Sequence, residues 1–395
     1  MNRTLSQRTP HTLLNSPSAY QKLEVNYRKN KAQDHTGKID DAARRFDFDA
    51  CKDDYWNPES FSLLHGTPLW DEASPTERLR LNQLYWVAYY SQIISAELAT
   101  ILLNQTSAAG MYSIEDFRVV CDGLDLESAQ ERAHINAFKT IGEQVEEKLF
   151  GERVFTYPMR NMYTETMIFH NSNKVKEFWR NIQLRAATML TSGNAFLGCQ
   201  YFAIRGLRTL NGKMIQSALA QPYMKAADKD KAPVPAQVSF FHFMDESYHF
   251  NTSRLLSHDV LGCLPAPGPF ERFVANRAID GCQRDHYHFS IAVKGIFWYD
   301  PALFHSIYRV LRSKVFGMDP DEAREMIRRC FTEETQGLHE AYRIHETAVE
   351  SYRAYAEPLS YVNARNKDMA VMAGSTMEGY LADTRKAFSR FEANA

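Results

Sequence analysis

The chain has 395 residues, 44% of them hydrophobic and 12% aromatic, enough to bury a large core in one big domain or two small ones. Its 46 basic and 48 acidic residues leave a net charge of −2, which offers no electrostatic footprint for nucleic acid or an anionic membrane. No signal-like apolar run opens the sequence and no stretch approaches membrane-spanning length. The six cysteines (51, 121, 199, 263, 282 and 330) form no CxxC pair, so free thiols in a reducing cytoplasm are expected.

Residues 1–60 are polar, and NYRKNKAQDHTGK reads as an exposed lead-in. WNPESFSLLHGTPLWDEASPTER is punctuated by Pro, Gly and Ser and should be irregular. Ser74 and Pro75 then fit the cap and first turn of a helix. That helix, about 75–106, is apolar nearly all round, which places it inside a bundle. It carries Glu97 among apolar neighbours, in IISAELATILLNQ. A second helix at about 126–149 carries Glu131 and His134. A third spans about 174–210, and the polar insert MKAADKDKAPVPA follows it. A fourth helix at about 235–257 holds FFHFMDESYHF, and LGCLPAPGPFER breaks the chain after it. Further helices are expected at about 270–292, 301–314, 319–350 and 366–392. The expected fold is all-α: a ferritin-like bundle over 61–260, with the 1–60 lead-in and additional C-terminal helices over 261–395 forming one domain with it.

The fourth helix carries the strongest chemical signal. On an α-helix, His242 to Glu246 is an i, i+4 step and Glu246 to His249 an i, i+3 step. The three side chains fall within roughly 60° of arc over about two turns. A carboxylate in such apolar surroundings is costly unless paired or metal-bound. Glu131 and His134 form a second Glu-x-x-His, and Glu97 is a lone acid on another helix. Two such motifs plus lone acids are the ligand scheme of carboxylate-bridged di-iron bundles, and Fe or Mn accepts mixed carboxylate and imidazole donors.

These motifs, with LHGTPLWDEASPTERLRLN ahead of the first helix, resemble the para-aminobenzoate N-oxygenase family of di-iron enzymes from natural-product pathways. The resemblance covers roughly residues 60–260 and is most specific at the H-x-x-x-E-x-x-H of His242, Glu246 and His249. It implies that Glu97, Glu131, His134, His242, Glu246 and His249 are metal ligands. It also implies O2 as cosubstrate, oxygenation of an amine nitrogen on a small molecule, and a homodimer.

One departure stands out. The family has an acid on the third bundle helix, and this chain has none from 180 to 207. Asn194 lies nearest the expected position and is a weaker, neutral candidate ligand. Glu177 lies several turns away, and Glu165, Asp280 or Asp285 would have to fold in. Two divalent ions carry +4 and three carboxylates −3, leaving +1 for water, hydroxide or a substrate acid. The second iron could be completed by such a group or bound weakly, or the site could hold one iron or Mn. Hydroxylation, desaturation, C–C cleavage or a non-catalytic metal-binding bundle stay open as alternatives.

Asp245 and Arg132 are candidates to support the ligands. Tyr85, Tyr89, Tyr90, Phe196 and Tyr201 are candidates to line a pocket, with core filling the plainer reading for each. His286 and His288 have strand-like spacing, while His339 and His345 read as a solvated helix face. No flavin or ferredoxin segment is visible, so electrons should come from a separate donor. No phosphate loop and no G-x-S-x-G elbow appears.

Overall fold

The computed structural model describes residues 16–112, 116–155, 174–295 and 303–393. Its principal helices, in chain order, are α1 (Pro17–Ala32), α2 (Thr36–Arg45), α3 (Pro75–Met111), α4 (Arg118–Phe150), α5 (Lys174–Gly193), α6 (Ala195–Leu219), α7 (Val234–Arg254), α8 (Pro269–Asp285), α9 (Phe304–Arg312), α10 (Pro320–Thr332), α11 (Gln336–Ala356) and α12 (Met377–Glu392). No strand occurs among the described residues, so the all-α expectation holds.

Local chemistry explains where the central helices start and stop. Ser74 accepts the Glu77 N–H while the Glu77 side chain accepts the Ser74 N–H, and Pro75 occupies the first turn of α3. This capping box satisfies two of the donors that a helix start leaves free. The run that follows has no glycine until Gly110, and α3 is buried continuously from Leu81 to Ser95. It is long and apolar enough to cross a membrane by length and composition, but 56% of its most apolar window is buried inside the bundle, the situation of a core helix. α4 ends at Gly151 in the left-handed conformation (φ +69°), where glycine carries no Cβ penalty.

α3 and α4 pack along their lengths, α7 lies against α6, and α5 and α6 cover the remaining side of α3. The expected third helix is two helices, broken at Asn194. Close approach at this corner depends on Gly110, where a Cβ would lie 2.1 Å from the Thr191 carbonyl oxygen.

The polar lead-in is not an exposed tail. Over its described residues it forms α1 and α2, which pack on α4 and α7 and bury Asn26, Asn30 and His35. Apolar periodicity is weak in α1, because Asn26 and Asn30, which read as surface, face the bundle beside Ala19 and Leu23. The C-terminal part packs α10 against α12 and α11 against α6. The helix expected at 319–350 divides at residues 333–335. There Asp319 caps α10 and Thr335 caps α11. Lys294, at φ +45° and buried, donates to the Ser60 carbonyl (2.6 Å) and pairs with Glu340, tying the irregular 57–67 segment to α11.

Candidate metal centre

Three helices bring the candidate ligands together. α3 supplies Glu97, α4 supplies Glu131 and His134, and α7 supplies His242, Glu246 and His249; all six are at most 7% exposed. One donor atom each from Glu97, His134, His242 and Glu246 lies within 4.8 Å of the others. Glu131, Glu246 and His249 make a second such group. Glu246 belongs to both, as a bridging carboxylate would. It lies 3.6 Å from His242 Nε2 and 3.0 Å from His249 Nδ1. His242 Nε2 also lies 3.1 Å from Glu97, and His249 Nδ1 3.3 Å from Glu131.

His134 bonds Glu131 (3.2 Å) and His249 bonds Glu246 (3.0 Å), but the rest of the cluster is not satisfied. Both carboxylate oxygens of Glu97 and both ring nitrogens of His242 are buried without a partner in hydrogen-bonding geometry. Such orphans cost about 1–3 kcal/mol each when nothing compensates. Converging N and O donors of this kind fit a metal ion, and the mixed carboxylate–imidazole set suits iron or manganese.

The outward-facing ring atoms indicate which nitrogens are free to bind. His134 Nε2 lies 3.2 Å from Asp245 Oδ2, and His35 Nδ1 lies 2.7 Å from Asp245 Oδ1. His249 Nε2 lies 3.0 Å from Gln130 Oε1, and Gln130 pairs with Asn30. Each outer nitrogen donates its proton, so Nδ1 of His134 and of His249 is the nitrogen a metal would take; without one it carries a proton to Glu131 and Glu246. Asp245 thus stands where a supporting residue was expected. Arg132 does not: it is exposed on the outer face of α4. His35, Asn30 and Gln130 were missed in the sequence, since none carries a motif and two lie in the polar lead-in.

The electrostatics follow from this crowding. Burial raises Glu97 above the usual carboxylate range, with His134 and His242 opposing it. Burial also works to raise Glu246, but His249 and His242 outweigh it and hold it well below. Burial would lower His134 and His249; the surrounding carboxylates reverse this and push both well above the ordinary imidazole range. Asp245, also buried, is brought down to about 2 by His134 and His35. Without a cation, protons therefore stand in for it, and a metal must displace them.

α6 supplies no acid: it has no Asp or Glu along its length. Asn194 is not a ligand either. It caps α6, accepting the Leu197 N–H (3.0 Å) and donating to Glu271 (2.8 Å). Asp280 pairs with Arg277 and Arg284, and Asp285 with Arg208. Glu165 and the Glu177 side chain lie outside the described residues.

From α6, Arg205 faces the cluster instead. It is 4% exposed and pairs with Glu127 (2.7 Å), and it donates to Asn104, Ser253 and the His249 carbonyl. A cavity of about 220 Å³ opens from the cluster between α3, α5, α6 and α8. Its walls are mainly apolar, with Ile93, Ala96, Leu103, Leu184, Ile204 and Val274 among them. Tyr201 lines it, whereas Tyr90 sits behind His242 and Phe196 packs on Tyr361.

The other histidines are elsewhere. His286 packs on Tyr352, His288 lies 4.0 Å from Asp383, and His339 pairs with Glu334 at the surface. His345 corrects the solvated-face reading: it is 1% exposed and hydrogen-bonded to the Met372 carbonyl (3.1 Å).

A helical bundle with buried Glu and His donors converging from three helices, beside an apolar cavity, could hold a metal ion in the manner of the di-iron helical class of proteins. The chain belongs to the acyl halogenase CylC-like family, whose model matches residues 18–392, nearly its whole length. This places it among non-haem iron enzymes of natural-product biosynthesis. The match is to this family and not to the para-aminobenzoate N-oxygenases that the motifs resemble. Among curated proteins and among solved structures, no significant match to the chain was found.

Proposed function

We propose that the protein is an O2-dependent, non-haem di-iron halogenase that replaces a C–H hydrogen of an acyl group with halogen. The observation that carries the reading is the missing acid of the third bundle helix. α6, which borders the cavity beside the cluster, carries no Asp or Glu, and Arg205 is among its residues there. Three carboxylates against two divalent ions leave about +1, which favours an added anion such as halide. The family's name and the apolar cavity agree with halogenation of a hydrocarbon chain more readily than with oxygenation of an amine.

Bound iron would supply the activation of O2 and the oxidising power that the reaction needs. The chain's own residues hold and orient it. Glu97, Glu131 and Glu246 would neutralise the ions, with Glu246 shared between them. His134 and His249 would bind through Nδ1, each held in orientation by Asp245 or Gln130, and His242 through Nε2. The cavity walls exclude water and hold the substrate chain beside the cluster. Electrons come from an external donor.

The test loads the protein with ferrous iron without oxygen, then adds O2, chloride or bromide, and saturated acyl thioesters of graded length. About two irons per chain and a product whose mass follows the halide are expected. Oxygenated product independent of halide, or an N-oxygenated amine in a parallel reaction, would overturn the halogenase reading in favour of an oxygenase.

A further inference from the structure

Behind the metal cluster, on the side away from the cavity, lies a row of oxidisable rings. The Tyr90 ring is 5.6 Å from His242, edge to face. Trp86 follows at 4.5 Å from Tyr90, and Trp56 at 6.3 Å from Trp86, nearly perpendicular. All three are fully buried. The residue before Trp56, Tyr55, is 41% exposed, so the row ends one residue from solvent.

We infer that Trp86 and Trp56, reached across the Tyr90 ring, form a path along which an unspent oxidising equivalent leaves the metal cluster for the surface. The inference rests on the proposed iron chemistry, because a site that activates O2 needs an outlet when no substrate occupies the cavity. Each step moves one electron. An electron passes from Trp86 to the cluster across the intervening Tyr90 ring, which is not itself oxidised, and from Trp56 to Trp86. A one-electron reductant in solution, such as ascorbate, refills Trp56 and is itself oxidised.

No atom needs to move with the charge. The Trp86 indole N–H stays bound to Ser239 Oγ (2.9 Å) and the Pro235 carbonyl (3.1 Å). The Trp56 N–H stays bound to the Cys51 carbonyl (3.1 Å).

The geometry favours this branch over its neighbour. Tyr90 also touches Tyr89 at 5.1 Å, and Tyr85 stacks on Tyr89 at 6.0 Å. The hydroxyls of Tyr85, Tyr89 and Tyr90 are all buried with no hydrogen-bond partner, so an oxidised phenol there has nowhere to send its proton, and Tyr90 serves only as the ring that bridges Trp86 to His242. An indole can lose an electron and keep its proton. Phe138, stacked on Tyr90 at 4.1 Å, is too hard to oxidise to compete.

The experiment exposes iron-loaded protein to O2 without substrate, freezes it at intervals and records electron paramagnetic resonance, with ring-deuterated tryptophan to identify the carrier. Peptide mass spectrometry of the same samples maps oxidised residues, and their iron content is measured. The wild type should give an indole radical, with oxidation collecting around Tyr55 and Trp56. Trp86→Phe should lose that radical and shift oxidation to the Tyr90 and His242 peptides. Trp56→Phe, further from the metal, should leave the radical on Trp86, and Tyr89→Phe should change neither signal. Iron-loaded protein that consumes O2 yet shows no indole radical, with one oxidation map for all variants, overturns the path alone. Failure of the wild type to take up iron overturns both the path and the function on which it rests.

Discussion

His134 and His249 in the bundle and His345 in the C-terminal helices are equally hidden from water, yet burial has opposite outcomes for them. Around the first two, carboxylates crowd in and the imidazoles become stronger bases. Around His345, burial dominates, His288 adds to it, and the pKa falls to about 4 despite the bond to the Met372 carbonyl. The bundle also leaves donor atoms of Glu97 and His242 unpartnered and pointing at a common centre. Burial alone thus says little about function; buried donors that converge without satisfying one another say much more.

The largest expected break comes from Glu246→Ala. It removes the only donor shared by both groups, so the variant should bind no more than traces of iron while keeping its helical circular dichroism. Metal analysis after anaerobic loading checks this, and retention of two irons would show that the bridge lies elsewhere.

Next is Arg205→Met, which leaves Glu127 charged and buried without its cation. The loss should be about 3–5 kcal/mol in urea unfolding. Adding Glu127→Met should recover most of it, since the cost lies in the unpaired charge.

His345 provides the contrasting pH test. Its folded pKa of about 4 lies below its ordinary value of 6.5. As pH falls through 6.5 the unfolded chain takes up a proton that the fold refuses. Stability should therefore decline between pH 6.5 and about 4, by up to about 3 kcal/mol, and level off below. His345→Gln should flatten that part of the profile of unfolding free energy against pH.

The smallest effect is expected from Asp245→Asn. His134 would keep its place but lose a charged partner, weakening metal binding by about 10–100-fold. Competition with a chelator measures this. An unchanged affinity would mean that Asp245 serves only the packing of His35.

Much of this architecture was legible in the chain. The start of α3 followed from Ser74 and Pro75 and the common face of His242, Glu246 and His249 from helical spacing, while their grouping with Glu97, Glu131 and His134 was what the family resemblance implied. The break at Asn194 was not, because no proline marks it; Asn194 caps α6 through the Leu197 N–H, and its second bond reaches Glu271, 77 positions on. Asn30 and His35 were hidden for a related reason. Their polarity suits a surface, and only partners 100 and 210 residues downstream explain their burial. His345 misled because charged neighbours surround it in sequence while its ring faces Met372.

The link between His35 and Asp245 also has a consequence in time. A ribosome extends a chain by about 5–20 residues per second, so α2 leaves it about 10–40 s before the acid that its histidine will meet. Asn30 can meet Gln130 about half-way through that interval, but the His35 imidazole waits until Asp245 emerges. Closing so distant a contact is entropically slow. The outer support of the candidate ligands therefore cannot be complete until Asp245 has emerged, and a metal ion that arrived earlier would meet a site not yet held in shape.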